Sequence, residues 1–394
     1  MEERVIPYLA AFAISILLCA AGEWSLQKNR LFAAVFCVSA IIPPVILAGA
    51  RDYKVGTDIT VYGNHVFRVA REAKYLMPLL KTETHIEPLY KALAFAVSRW
   101  TNNAHWFYFA TALIICVCMM TGILYYRRWC SVTLAWACFL FLFYGDTLNI
   151  MRQSLAIALS FAAFPLFIEK KYPLYIVLQI AAVMFHVTGV ITFCFPLAFV
   201  FLKTYAPRWL QFFLIVGGMF VLLFYSPILQ IMLSMHWLPS KFIRYASDGI
   251  AFALNPTLLR LPLLLPILYY YDLFCGPEET ESEKKEHYLG QFAVLMVLMD
   301  ACTVQLRSVS VMLYRISLYF SCFRFLAFSR LVRVMRRDNR AVIVVLLFMF
   351  LIAVWYYQNV MQGNNRIYPY VYASDWFKRW LFIVQEEEAV LPMR

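Results

Sequence analysis

Residues 31–49 read LFAAVFCVSAIIPPVILAG, an uncharged run closed by Arg30 on one side and Arg51 on the other. A helix rises about 1.5 Å per residue, so a run of this length crosses the ~30 Å hydrocarbon core of a bilayer. Comparable runs recur from end to end of the 394 residues, and the whole chain is 63% hydrophobic and 15% charged, with 34 Phe, 25 Tyr and 10 Trp. Soluble domains lie nearer ~45–50% apolar and ~25% charged, which excludes an ordinary cytosolic enzyme, a disordered chain and a small disulfide scaffold. The opening Met1-Glu2-Glu3-Arg4 lacks a basic n-region, so a retained first helix is expected rather than a cleaved signal. Most of the ten Cys sit inside apolar stretches with no CxxC pair, as buried apolar side chains do.

The expected fold is all-α, a single polytopic membrane domain over 1–394. Twelve helices are expected, near 5–22, 31–49, 105–125, 131–145, 150–168, 173–187, 189–202, 209–226, 257–274, 288–306, 309–329 and 341–357. An interfacial helix is expected near 88–100. Lys28/Arg30, Arg127/Arg128, Lys170/Lys171, Lys203/Arg208, Lys284/Lys285 and the run Arg330, Arg333, Arg336, Arg337, Arg340 fall on alternate loops. That alternation places these loops in the cytoplasm and both termini outside. Segment 275–287 reads as a short cytoplasmic linker. The long segments 50–104, 227–256 and 358–394 then lie outside, and Trp376-Phe377-Lys378-Arg379-Trp380-Leu381-Phe382 reads as an interfacial anchor.

The net charge of +12 divides with this topology. The cytoplasmic loops account for 15 of the 35 Lys+Arg, leaving 20 outside against 14 acids, an excess of 6. Long external loops escape the positive-inside rule, and an anionic ligand at the outer membrane face accounts for their basic residues.

Four clusters carry the chemistry. Arg51-Asp52-Tyr53-Lys54-Val55-Gly56-Thr57-Asp58, followed by Tyr62, leaves the second helix with an Arg, a turn Gly and an acid. It fits a phosphate site and a snorkelling Arg on a plain turn equally. In Asp146-Thr147-Leu148-Asn149-Ile150-Met151-Arg152-Gln153, Asp146, Thr147 and Asn149 are cap candidates and Arg152 sits in the first turn. A cation at a helix N-terminus is unfavourable unless an anion binds there too. His186 stands at the same membrane level, as a hydrogen-bonded structural residue or a base. Asp300 and Arg315 flank a hairpin at 307–308 at matching depth and are expected to pair, with Tyr319 a turn below Arg315. Arg324 is expected to snorkel toward the cytoplasm.

No phosphate-binding G-x-x-x-x-G-K-[ST], no D-x-D, no H-E-x-x-H and no G-x-S-x-G occurs. No nucleotide, cofactor, metal or nucleic acid is therefore expected, and an already activated membrane-bound donor fits better.

Arg51-x4-Gly56-Thr57-Asp58-x3-Tyr62, Glu87-Pro88, Asn149-x2-Arg152-Gln153 with Ala156, Phe185-His186, Lys241-x3-Tyr245 and Arg315-x3-Tyr319 together resemble the EpsG-like family of Wzy-type polysaccharide polymerases. The resemblance is spread in order over residues 48–325. It implies a helical fold of the GT-C type in a bacterial plasma membrane. It also implies transfer of a growing glycan from undecaprenyl diphosphate onto a lipid-linked repeat unit at the outer face, with a flippase and a chain-length regulator as partners. On that footing Arg51, Arg152 and Arg315 are the diphosphate ligands. Tyr62, Asn149, Gln153, Lys241, Tyr245 and Tyr319 orient substrate, and Asp58, His186 or Glu87 is the base. A flippase for lipid-linked oligosaccharide and a ligase of the O-antigen type are the alternatives.

Overall fold

Helices α1 (Ile6–Ser25) and α2 (Arg30–Gly49) form a hairpin held by small side chains. A Cβ on Gly22 would lie 2.8 Å from the Cys37 sulfur. The Ser15 hydroxyl donates to the Ala40 carbonyl at 2.5 Å and accepts from the Trp136 indole at 2.8 Å. Lipid tails are as apolar as the side chains, so close backbone approach and buried hydrogen bonds hold such helices together. In this computed structural model the described residues are 5–373, except 27, 83–85, 309–310 and most of 206–252.

Among the described residues the chain is helical and has no strand beyond one isolated antiparallel bridge between Arg51 and Tyr372. Seven helices are long and apolar enough to cross a membrane: Ile6–Ser25, Arg30–Gly49, His105–Arg128, Met151–Ile168, Val187–Thr204, Glu281–Arg307 and Arg337–Met361. Val132–Leu142 and Tyr172–Phe185 are shorter apolar helices. The helix expected at 209–226 lies largely outside the described residues.

Two expected helices are broken instead. The 257–274 run is Leu254–Leu258, Leu261–Tyr269 and Tyr271–Cys275, and the first break falls just before Pro262, which has no N–H to continue the ladder. The 309–329 run is Val311–Tyr314, Ser317–Ser321 and Phe323–Val334, with a turn at Arg315 and Ile316. There Gln153 Nε2 donates to the Arg315 carbonyl at 2.7 Å, satisfying an acceptor at the break. Broken helices at membrane depth persist where protein rather than lipid surrounds them. Segment 275–287 is not simply a linker either. A helix begins at Glu281, capped reciprocally by Thr280 and Glu283, with Glu281 and Glu283 favoured at its positive end.

The Asp300–Arg315 pair does not form. Asp300 is fully buried and takes two hydrogen bonds from Arg260, at 2.7 and 3.0 Å, with Arg324 Nε at 3.2 Å. Arg324 therefore turns inward instead of snorkelling, drawn to the Asp300 carboxylate inside the bundle. Asp300→Asn leaves two buried guanidiniums without a counter-ion, and the expected cost is about 3–5 kcal/mol. The midpoint of thermal unfolding in detergent reads it; an unchanged midpoint contradicts it.

Several of the loops bearing the alternating basic residues meet at one end of the bundle. Arg333 donates to the carbonyls of Arg127 and Cys130, Arg330 to those of Trp129 and Phe274, and Lys285 pairs with Glu169 at 2.6 Å. The helix Met151–Ile168 starts at Arg152 and ends beside Glu169, so its ~27 Å length separates that end from the other. At the far end the chain beyond Met361 packs back on the bundle. Tyr8 Oη donates to the Ile367 carbonyl and Tyr370 Oη to the Leu47 carbonyl, both at 2.8 Å. Backbone bonds Asp52–Val371 and Ala373–Ala50 complete the seam. The anchor expected at 376–382 lies outside the described residues.

Candidate active site

Gly56 joins the first two clusters. Its φ is 91°, and a Cβ there would meet the Leu148 carbonyl oxygen at 2.7 Å, so both conformation and contact require glycine. The Arg51 guanidinium donates to that same carbonyl at 2.5 Å and approaches the Met151 sulfur at 3.4 Å. Arg51 is 1% exposed. It ties segment 51–58 to segment 148–151 from inside the protein.

Asn149 does not cap its own helix, and neither Asp146 nor Thr147 does: the helix beginning at Met151 has no side-chain cap. Asn149 Oδ1 instead accepts from the Thr57 N–H (3.0 Å), the Thr57 hydroxyl (2.6 Å) and the Asp58 N–H (3.1 Å). It thus caps the turn that carries Asp58 and Tyr62 (Ile59–Gly63). Its Nδ2 donates to Asn365 Oδ1 at 3.1 Å, and Asn365 Nδ2 donates to Asp146 Oδ1 at 2.8 Å.

Arg152 stands over this floor. Its Nη1 lies 2.6 Å from Glu87 Oε2, and its guanidinium carbon lies 4.4 Å from the centre of the Tyr62 ring, a cation–π contact. Glu87 Oε1 faces His186 Nε2 at 3.9 Å. On the other side His186 Nδ1 meets the Thr188 hydroxyl at 2.6 Å and accepts from the Thr188 N–H at 3.3 Å. Thr188 Oγ1 in turn meets Tyr319 Oη at 2.9 Å. Tyr319 is buried and bears on the site through Thr188 and His186.

Asp58 is partly exposed, and its carboxylate makes no hydrogen bond or ion pair with the other described residues. Burial lifts it above the usual carboxylate range, against the charges of Arg315, Arg152 and Arg51, in that order. His186, in the junction outside both neighbouring helices, is held below the ordinary histidine range. Burial is the main cause; Glu87 opposes it, while Arg152 and Arg315 add to it.

Asp58, Glu87, Arg152, His186, Arg315, Tyr62, Asn149, Gln153 and Tyr319, all singled out in the sequence, therefore meet at one end of the bundle. Lys241 and Tyr245 lie outside the described residues. The sequence reading missed Asn365, and with it the return of segment 363–373. Gly363-Asn364-Asn365, a run of residues that tolerate left-handed backbone, is the signal that marks the turn.

The model of the EpsG family matches residues 34–372, most of the chain and every element of this site. The chain belongs to the EpsG family. That family is associated with Wzy-type polysaccharide polymerases, so the EpsG-family chain is a membrane protein with a polysaccharide-polymerase-like, glycosyltransferase role. No curated protein and no solved structure matches it.

Proposed function

We propose that this EpsG-family protein extends a polysaccharide by moving the growing glycan from a polyprenyl diphosphate, undecaprenyl diphosphate in bacteria, onto the terminal sugar of a lipid-linked repeat unit. The site then faces outward across the plasma membrane, and the basic end faces the cytoplasm. The observation that carries this reading is the placing of Arg152, paired with Glu87 and lying on Tyr62, at the end of the bundle opposite the basic loops, where its charge and that of Arg315 act on Asp58.

Glycosyl transfer from a diphosphate needs charge stabilisation as the C–O bond breaks and an oxyanion leaves. Arg152 and Arg315 supply permanent charge and forked donors for it. The uncapped start of the Met151–Ile168 helix adds backbone N–H groups beside Arg152. Arg51, bonded to Leu148, holds the floor beneath them.

Asp58 is the favoured base for the acceptor hydroxyl. In His186 the Thr188 N–H points at Nδ1, which places the ring proton on Nε2 facing Glu87. The lone pair of the ring, on Nδ1, is then taken up by Thr188, whereas the Asp58 carboxylate has no such partner among the described residues. Glu87 and His186 serve to orient Arg152. Lys241 and Tyr245 remain proposed contacts to sugar or phosphate from their loop. A flippase and a chain-length regulator are the proposed partners.

Reconstitution in liposomes with purified lipid-linked repeat unit alone tests the reading. A ladder of lengthened glycans is expected. Leaflet inversion without covalent change identifies a flippase, and dependence on a second acceptor identifies a ligase.

A further inference from the structure

After the last long helix the chain turns through Gly363, Asn364, Asn365 and Arg366, with φ of 63° at Gly363, 62° at Asn365 and 50° at Arg366. Left-handed backbone is costly for residues with a Cβ, least so for Asn, so two in succession are held by their surroundings. Here the surroundings are the floor of the site. Asn365 lies between Asp146 and Asn149, and the Arg366 carbonyl accepts from the Gly56 N–H at 3.0 Å.

The order of donors and acceptors in this chain has one solution. Burial raises Asp146 to about 6, so at neutral pH it is ionised and only accepts, and Asn365 turns its NH2 to Asp146 and its carbonyl to Asn149. Asn149 must then present its NH2 to Asn365 and its carbonyl to the N–H groups of Thr57 and Asp58. The two backbone N–H groups demand the carbonyl end of the Asn149 amide, and Asn365 holds its NH2 end. Without Asn365 the amide that caps the turn carrying Asp58 is anchored at one end only.

We propose that Asn365 is a positioning residue for glycosyl transfer: through Asn149 it sets the orientation of the Asp58 turn, and the returning segment after the last helix is part of the catalytic machinery. The proposal rests on the reading of Asp58 as the base. Asp146 closes the far end of the relay as the acceptor for Asn365, and the charges of Arg324, Arg315 and Arg307 act on it.

The test is the reconstituted elongation assay with three variants. Asn365→Gly keeps the left-handed backbone accessible and deletes the amide. The kcat is expected to fall by about 10- to 100-fold, the worth of a hydrogen bond to a charged or orienting group. The KM for the lipid-linked unit is expected to stay within about twofold, since no ligand contact is removed. Asn365→Asp sets two carboxylates against each other and is expected to be at least as slow. The double variant Asp146→Asn/Asn365→Asp restores a donor facing a carboxylate and keeps one negative charge for the three guanidiniums. It is expected to recover most of the lost rate.

A wild-type kcat in Asn365→Gly, or a double variant no faster than Asn365→Asp, overturns the relay. The double variant decides the matter even if Asn365→Gly does not fold. A wild type that elongates nothing overturns the polymerase reading itself, whereas an active wild type with equally active variants overturns the relay alone.

Discussion

Arg152→Lys is expected to lower the rate of elongation by about 10²–10³-fold, although it conserves charge, as removal of one well-placed oxyanion donor does elsewhere. Arg152 bonds Glu87 through Nη1 while its flat face rests on Tyr62. That geometry fixes the plane of the guanidinium and the directions of its N–H groups. A lysine ammonium is a point charge on a flexible stem and cannot hold Glu87, lie on the ring and grip a diphosphate at once. Loss of kcat with protein still monodisperse in detergent supports the assignment. A lysine variant of wild-type rate removes Arg152 from the chemistry, and a rise in KM alone makes it a contact for ground-state binding.

The membrane fold was legible because bilayer thickness dictates a run length, and runs such as 31–49 announce themselves. Long helices such as Ile6–Ser25 and Arg30–Gly49 start and stop within a few residues of their expected positions. The misreadings arise where tertiary partners decide. Nothing local to Arg315 says that Gln153 takes its carbonyl and the helix breaks there. Depth symmetry about a hairpin suggested Arg315 for Asp300, but Arg260 lies on a separate broken helix and reaches it from the side. In the site, individual residue types were readable from the clash of a cation with a helix N-terminus. Their division of labour was not. Arg51 and Asn149 turn out to hold backbone, and Glu87 pairs with Arg152, because burial and hydrogen-bond geometry are set by segments 65 to 97 residues apart. The Thr280-x-x-Glu283 capping box was present in the sequence, yet its run of acids reads first as solvated linker.

Asp58→Asn is expected to cut kcat by about 10²–10⁴-fold, the usual worth of a general base, with KM little changed. The pH profile then separates the three candidates. Rate falls on the acid side as the base takes up a proton, so with Asp58 this limb lies above the usual carboxylate range, where burial has raised it. His186 is shifted the opposite way, downward, so limb position alone does not distinguish them. The variants do. The Glu87 charge raises His186, and its removal leaves burial, Arg152 and Arg315 all pushing that ring lower. A histidine base therefore predicts a limb displaced to lower pH in Glu87→Gln. The charges that chiefly act on Asp58 are those of Arg315, Arg152 and Arg51, so Glu87 reaches it through Arg152. With Asp58 as base the plateau drops, because Arg152 has lost the carboxylate that orients it, and Asp58→Asn abolishes the limb while His186→Ala keeps it. A limb that persists in Asp58→Asn and is lost in His186→Ala transfers the role to His186, and loss of turnover at every pH in Glu87→Gln transfers it to Glu87. His186→Ala sharpens the choice: it is expected to retain the limb and to slow turnover less than Asp58→Asn, since it only loosens the Glu87–Arg152 pair.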